Sequence, residues 1–144
     1  MVERKDQEWI TFLEQSLNDL LSKDVLLFKN LKPSMLTEDA AIYLLTYTQG
    51  IEAEIPYYVG RTKNLRRRIY TNHLMGSTTN ARLKKYLIAD EAANLILDPA
   101  TAKTHIRDFC GVRWINHNDT RIRGALEGYF TGVLFPKYGI AEEH

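Results

Sequence analysis

Two short runs rich in β-formers, Ala41 to Tyr47 and Ile55 to Val59, flank a polar segment that contains Gly50. Branched and aromatic side chains suit a pleated surface, and a glycine between two such runs lets the chain reverse, so the pair reads as a β-hairpin with a longer loop. Gly60 ends the second run, and Thr62-Lys63-Asn64 then offers side-chain oxygens to the first free N–H groups of a helix, with Thr62 or Asn64 as the N-cap. That helix carries Arg66, Arg67, Arg68 and His73. A hairpin that empties into a basic helix sets the strand tyrosines Tyr43 and Tyr58 beside cations, an arrangement suited to phosphate.

The charge pattern points the same way. The chain of 144 residues has a net charge of +1, yet residues 55–89 hold eight Lys and Arg and no Asp or Glu. A solvated helix face normally mixes signs to limit self-repulsion, so a basic block without acids in a near-neutral chain marks a local polyanion site. Its candidate backbone-phosphate contacts are Lys63, Arg66, Arg67, Arg82, Lys84 and Lys85.

Around this block the chain reads as a single domain. Residues 5–22 show helical spacing through Trp9, Phe12, Leu13, Leu17, Leu20 and Leu21, with Asp6 able to cap the start. The apolar patch Val25 to Phe28 follows, then a break at Pro33 and one helical turn within Ser34 to Asp39. Residues 1–40 are expected to pack as a helical extension on a domain spanning 41–144, with a homodimer contact as their lesser use. Met75 to Asn80 reads as a polar loop, residues 79–92 as a helix, and Leu95 to Leu97 as an apolar run of open type. Phe109 to Ile115 alternates as a third strand. A last helix from about Arg121 to Leu134 presents Ala125, Leu126, Tyr129, Phe130, Val133 and Leu134 and is stopped by Pro136. The order predicts an α+β, mixed α/β layer fold: a small three-stranded antiparallel sheet flanked by helices. One cysteine, Cys110, excludes an intramolecular disulfide and a cysteine-based zinc cluster, and it reads as a buried small hydrophobe. No apolar run reaches spanning length and the N-terminus is acidic, so a soluble, cytoplasmic protein is expected. His105 and His117 read as surface residues.

Ala41-Ile42-Tyr43, then Tyr58-Val59-Gly60 fifteen residues later, then a basic helix, resembles the GIY-YIG nuclease superfamily over residues 41–139. The stretch from Tyr58 through Arg61-Thr62-Lys63-Asn64-Leu65 to Arg68 is the most specific part, and Leu126-Glu127 and Pro136-Lys137-Tyr138 are similar to the family's ending. The resemblance implies a metal-dependent endonuclease acting on DNA. By position it makes Tyr43 and Tyr58 the motif tyrosines, Arg61 and Arg68 the phosphate-handling arginines and Glu127 the ligand of one Mg²⁺ or Mn²⁺. Ala41 stands where the family name has Gly, and Gly139 where an Asn is common. His73 lies five residues after Arg68 where related members often have a His four after, so either His73 or Asn72 faces the site.

These residue types suit the reaction on physical grounds. Phosphodiester hydrolysis needs a deprotonated water, charge stabilisation on the phosphate oxygens and help for the leaving oxygen. A hard carboxylate such as Glu127 suits Mg²⁺. Arg68 can donate two hydrogen bonds to phosphate in a fork that Lys lacks. An ordinary phenol has a pKa near 10, so nearby cations are expected to lower that of Tyr43, the first candidate for general base, with Tyr58 orienting the water or relaying its proton. A carboxylate among the apolar neighbours of Glu127 is costly unless paired or metal-bound. The alternative to an enzyme is a catalytically dormant nucleic-acid-binding module of the same fold that works with a partner.

Overall fold

The computed structural model describes residues 1–51, 53–77, 81–92, 96 and 98–142. Among these, β1 (Leu26–Leu27), β2 (Ala41–Tyr47), β3 (Ile55–Thr62) and β4 (Cys110–Asn116) form one antiparallel sheet in the order β1-β4-β2-β3. The expected three-stranded sheet therefore has a fourth strand, because two residues of the apolar patch after the first helix pair with Gly111 and Val112 of β4. The predicted hairpin forms with Ala41 opposite Thr62 and Tyr47 opposite Ile55. β3 does not stop at Gly60 but continues to Thr62, and it is an edge strand.

Central strand β2 is buried from Ala41 to Thr46, which is why its sequence is a continuous apolar run rather than an alternation. Tyr43 and Leu45 enter one core, Ile42 and Leu44 the other. The second of these cores is closed by α1 (Gln7–Ser22) and by the last helix. Leu13, Leu17 and Leu20 meet Leu126 and Phe130 there, and Trp9 and Phe12 pack at its margin. Over the other face lie a π-helix (Arg67–Leu74), α2 (Arg82–Ala89) and α3 (Pro99–Phe109), which contribute Ile69, Leu83, Leu87, Ala102 and Ile106. Each such Leu or Ile withdrawn from water contributes roughly 1.5–3 kcal/mol. The sheet is thus the middle of three layers.

α3 went unread in the sequence, where the third strand was expected from Phe109; that residue instead closes the helix and β4 starts at Cys110. The helix begins with a capping box: Asp98 accepts from the Thr101 N–H at 2.8 Å and Thr101 Oγ1 accepts from the Asp98 N–H at 3.1 Å, with Pro99 in the first turn. α4 (Thr120–Leu134) is capped by Asp119, which accepts from the Ile122 N–H at 2.9 Å. Leu126 and Phe130 are its buried apolar residues, while Val133 of the predicted face is exposed. The turn expected within Ser34 to Asp39 is a 3₁₀ turn at Pro33–Met35. Residues 78–80 of the predicted loop and helix, and Leu95 and Leu97 of the apolar run, lie outside the described residues; Ile96 is buried. No helix among the described residues is long and apolar enough to cross a membrane.

Candidate functional site

The site residues gather where edge strand β3 separates the two helical layers. Tyr43 lies directly opposite Gly60 across the β2–β3 ladder. A Cβ on Gly60 would overlap the Tyr43 hydroxyl and ring, so the tyrosine lies across the glycine and reaches the sheet edge over it. Earlier in β3 a bulge lets Leu45 face Tyr58 and Thr46 face Pro56, leaving Tyr57 without a partner in the ladder. The extra residue turns Tyr57 and Tyr58 onto the same face, where both pack with Tyr43. The Tyr58 ring centroid is 6.2 Å from that of Tyr43.

The basic helix delivers two side chains to the Tyr43 hydroxyl. Asn64 caps it by accepting from the Arg67 N–H at 3.0 Å, while Thr62 Oγ1 accepts from the Asn64 N–H at 3.1 Å, so both predicted capping residues contribute. From Arg67 the coil is π, with the Met75 N–H bonded to the Tyr70 carbonyl five residues back. Arg68 Nε donates to the Tyr43 hydroxyl at 3.3 Å, and His73 Nε2 lies 2.8 Å from it. His73 rather than Asn72 therefore faces the site; Asn72 lines a neighbouring basic cleft.

Burial sets the protonation of this pair. His73 is wholly buried, and desolvation, then Arg68, Lys84 and Arg82, push its pKa down to about 3. It is a neutral imidazole, and its Nδ1 is a buried nitrogen with no hydrogen-bond partner among the described residues. Tyr43 corrects the expectation of a lowered phenol. Burial and then Tyr58 raise its pKa, and Arg68 opposes them without prevailing. A protonated phenol beside a neutral imidazole donates to Nε2. Tyr58 is likewise raised, by burial first, while Arg68 pulls in the other direction.

Glu127 approaches from the other layer on α4. It is half-buried, and burial raises its pKa against the pull of Arg61, Arg68 and Arg82. Its ion pair with Arg61 Nε is loose at 3.8 Å. Arg61 also donates from Nη1 to the Thr120 carbonyl at 3.2 Å, and a Cβ on Gly124 would strike its guanidinium. A helix-interior glycine costs about 0.5–1 kcal/mol relative to alanine; here it opens α4 to Arg61. Among the described residues no three His, Cys, Asp or Glu side chains cluster as metal ligands, so Glu127 offers a single carboxylate. Tyr58, Glu127 and Arg82 share a cleft of about 280 Å³. A basic cleft of about 300 Å³ beside Arg61 and Arg68 is lined also by Lys63 and Arg67. A further cleft of about 490 Å³, between α1 and β4, contains none of the predicted site residues.

The predicted phosphate contacts divide. Lys63, Arg67, Arg82 and Lys85 are exposed. Lys84 is not: it is 2% exposed, and its ammonium donates to the Leu74 and Gly76 carbonyls at 2.5 and 2.8 Å. It ties down the end of the π-helix, where carbonyls lack intrahelical donors. Arg66 donates to the Leu36 carbonyl and to Glu38, fastening the helix to the preceding loop. His105, expected at the surface, is half-buried, stacked on Tyr47 with its Nε2 3.1 Å from the Tyr57 hydroxyl. Tyr138 and Gly139 of the ending noted in the sequence line the cleft, together with Tyr86, which the sequence did not single out. Tyr86 follows Arg82 by four residues, a spacing that would have put both on one helix face. Comparison with protein-family models, curated proteins and solved structures returns no match for this chain.

Proposed function

We propose that the chain is a metal-dependent endonuclease that hydrolyses phosphodiester bonds in DNA, in the manner of the GIY-YIG superfamily it resembles. The observation that carries this reading is the Tyr43 hydroxyl held between Arg68 and a neutral His73, at an edge that also receives Glu127. A phenol acts as a base only if its own proton has somewhere to go. Of the two motif tyrosines, Tyr43 has an unprotonated imidazole nitrogen at hydrogen-bond distance. His73 is kept neutral partly by Arg68, Lys84 and Arg82. An arriving phosphate offsets those cations, which makes His73 more basic at the moment of substrate binding. The phenolic proton then shifts to Nε2, Arg68 steadies the phenolate, and the phenolate oxygen takes a proton from the attacking water. Tyr58 lines the cleft, where it orients that water, and Arg61 and Arg68 clamp the phosphate oxygens.

Glu127 fits a divalent ion: it is a half-buried carboxylate, with a loose cation partner, facing a cleft. Its single hard oxygen donor suits Mg²⁺ or Mn²⁺ that keeps water and phosphate oxygens as its other ligands. When bound, the ion supplies positive charge for the phosphate and leaving oxygens.

The test is purified protein with Mg²⁺ or Mn²⁺ on duplex, nicked, flapped and single-stranded DNA. Internal cuts that need the metal and vanish in Glu127→Ala, with DNA binding retained, are expected. Binding without cutting on every substrate with either ion would instead leave a dormant binding module.

A further inference from the structure

The cleft shared by Tyr58 and Glu127 does not end at them. Through Tyr86, Tyr138, Gly139 and Glu142 it runs into a second hollow of about 470 Å³, walled also by Ala89 and Lys137. The second hollow differs in chemistry from the separate basic cleft beside Arg61. That cleft is walled by three arginines and a lysine and no carboxylate, which suits backbone phosphate. On the Tyr86 side, Asp90 and Glu142 line the hollow, which disfavours phosphate. Its other walls are two parallel tyrosine rings, Tyr86 and Tyr138, with Lys137 Nζ 5.4 Å from the Tyr138 ring centroid. Small residues, Ala89, Gly139 and Ala141, leave its floor open.

Gly139 is the saddle between the two hollows. Its φ is +92°, a conformation glycine adopts without strain, and a Cβ there would press on the Tyr58 ring at 3.2 Å and reach Tyr86 at 4.0 Å. The glycine that departs from the family's ending therefore keeps the passage from Tyr58 to Tyr86 clear.

We propose that this second hollow receives an unpaired nucleobase of the substrate strand, next to the scissile phosphate, stacked against Tyr86 and Tyr138. This rests on the nuclease reading and narrows its substrate to DNA with an unpaired nucleotide on one side of the cut. A paired base cannot enter, because its faces are taken by its neighbours in the duplex. Aromatic walls accept any base by its π-face, and the Asp90 and Glu142 carboxylates, which accept from the Tyr138 and Tyr86 hydroxyls, hold those rings in place as the stacking walls.

The experiment uses the full chain with EDTA, so that nothing is cut, and a flapped DNA carrying 2-aminopurine at the first unpaired position. Stacking in the hollow quenches its fluorescence, and the flap is expected to bind about fivefold to a hundredfold tighter than the same sequence fully paired. Tyr86→Ala should abolish the quench and that preference while leaving duplex affinity as it was, and Tyr86→Phe should retain both. Gly139→Asn, which fills the saddle with a residue that tolerates positive φ, should weaken the preference several-fold. Equal binding of flap and duplex, or a quench that survives Tyr86→Ala, overturns the base site and leaves the nuclease reading standing. Failure to bind any of these DNAs overturns both.

Discussion

Arg68 and His73 stand five residues apart and meet at one hydroxyl because the helix between them is wound as a π-coil. At 3.6 residues per turn, a residue five places on would point roughly 140° away. In the wider coil, of roughly 4.4 residues per turn, it returns to the same face. Exchanging the two candidates, Asn72→His with His73→Asn, should therefore inactivate the protein as fully as His73→Asn alone. Removing exposed Thr71 should let the segment relax to an α-helix with the Arg and His four apart. That variant is expected to keep measurable cleavage. Cleavage assays on the three variants, with circular dichroism to check folding, decide it; full activity in the exchanged variant would refute the facing of His73.

Gly60 makes room for the Tyr43 phenol rather than for a turn. Because a Cβ there overlaps the Tyr43 hydroxyl, Gly60→Ala must push the ring out of its place between Arg68 and His73. Overpacking of this kind costs about 1–3 kcal/mol, and moving a reacting group by about an ångström can cost a hundredfold in rate. Urea unfolding should show the modest loss and cleavage kinetics the large one. A variant that loses stability but cuts at the wild-type rate would separate Gly60 from the site.

The hairpin, the last helix and the pairing of tyrosines with arginines were legible because each rests on a local pattern: a β-rich run, a cap, a run of like charge. Strand β1 was not, since two apolar residues carry no periodicity and become a strand only by meeting β4. The start of α3 was marked by Asp98 and Pro99 all the same. Its amphipathic residues, Ala102 and Ile106, are few among polar ones, so only the cap announced it. The fate of Lys84 was hidden for a different reason. Nothing in a Lys-Lys pair tells which ammonium turns inward, and the carbonyls that hold Lys84 exist only because the π-helix ends beside it. Burial likewise decided the Tyr43 phenol against the neighbouring cation, a contest of magnitudes that spacing cannot express.

His73 makes stability depend on pH. Its folded-state pKa lies near 3, against about 6.5 for a free imidazole, so between those values the unfolded chain binds the extra proton. Stability from this group is thus complete above about pH 6.5 and falls as pH drops toward 3, with a slope approaching about 1.4 kcal/mol per pH unit. His105, also lowered by burial, contributes in the same direction. The measurement is therefore a difference, urea unfolding of wild type and His73→Gln from pH 7 to 4. The variant should show the shallower decline, and parallel curves would mean that His73 is not held neutral by the fold.

Two adjacent lysines should respond in opposite ways. Lys84 satisfies the Leu74 and Gly76 carbonyls from a buried position, whereas Lys85 is exposed on the basic block. Lys84→Met keeps the length of the side chain but leaves those carbonyls without their donor, at a cost of about 1–3 kcal/mol. It should lower the unfolding midpoint and leave the salt dependence of DNA binding unchanged. Lys85→Ala should leave the midpoint where it is. If Lys85 contacts a phosphate, its loss releases one fewer counterion, and the slope of log affinity against log salt should become shallower by about one. Titrations of a short duplex from 50 to 300 mM salt, roughly the range where such slopes are read, test both. A salt slope altered by Lys84→Met and untouched by Lys85→Ala would reverse the assignment of the two side chains.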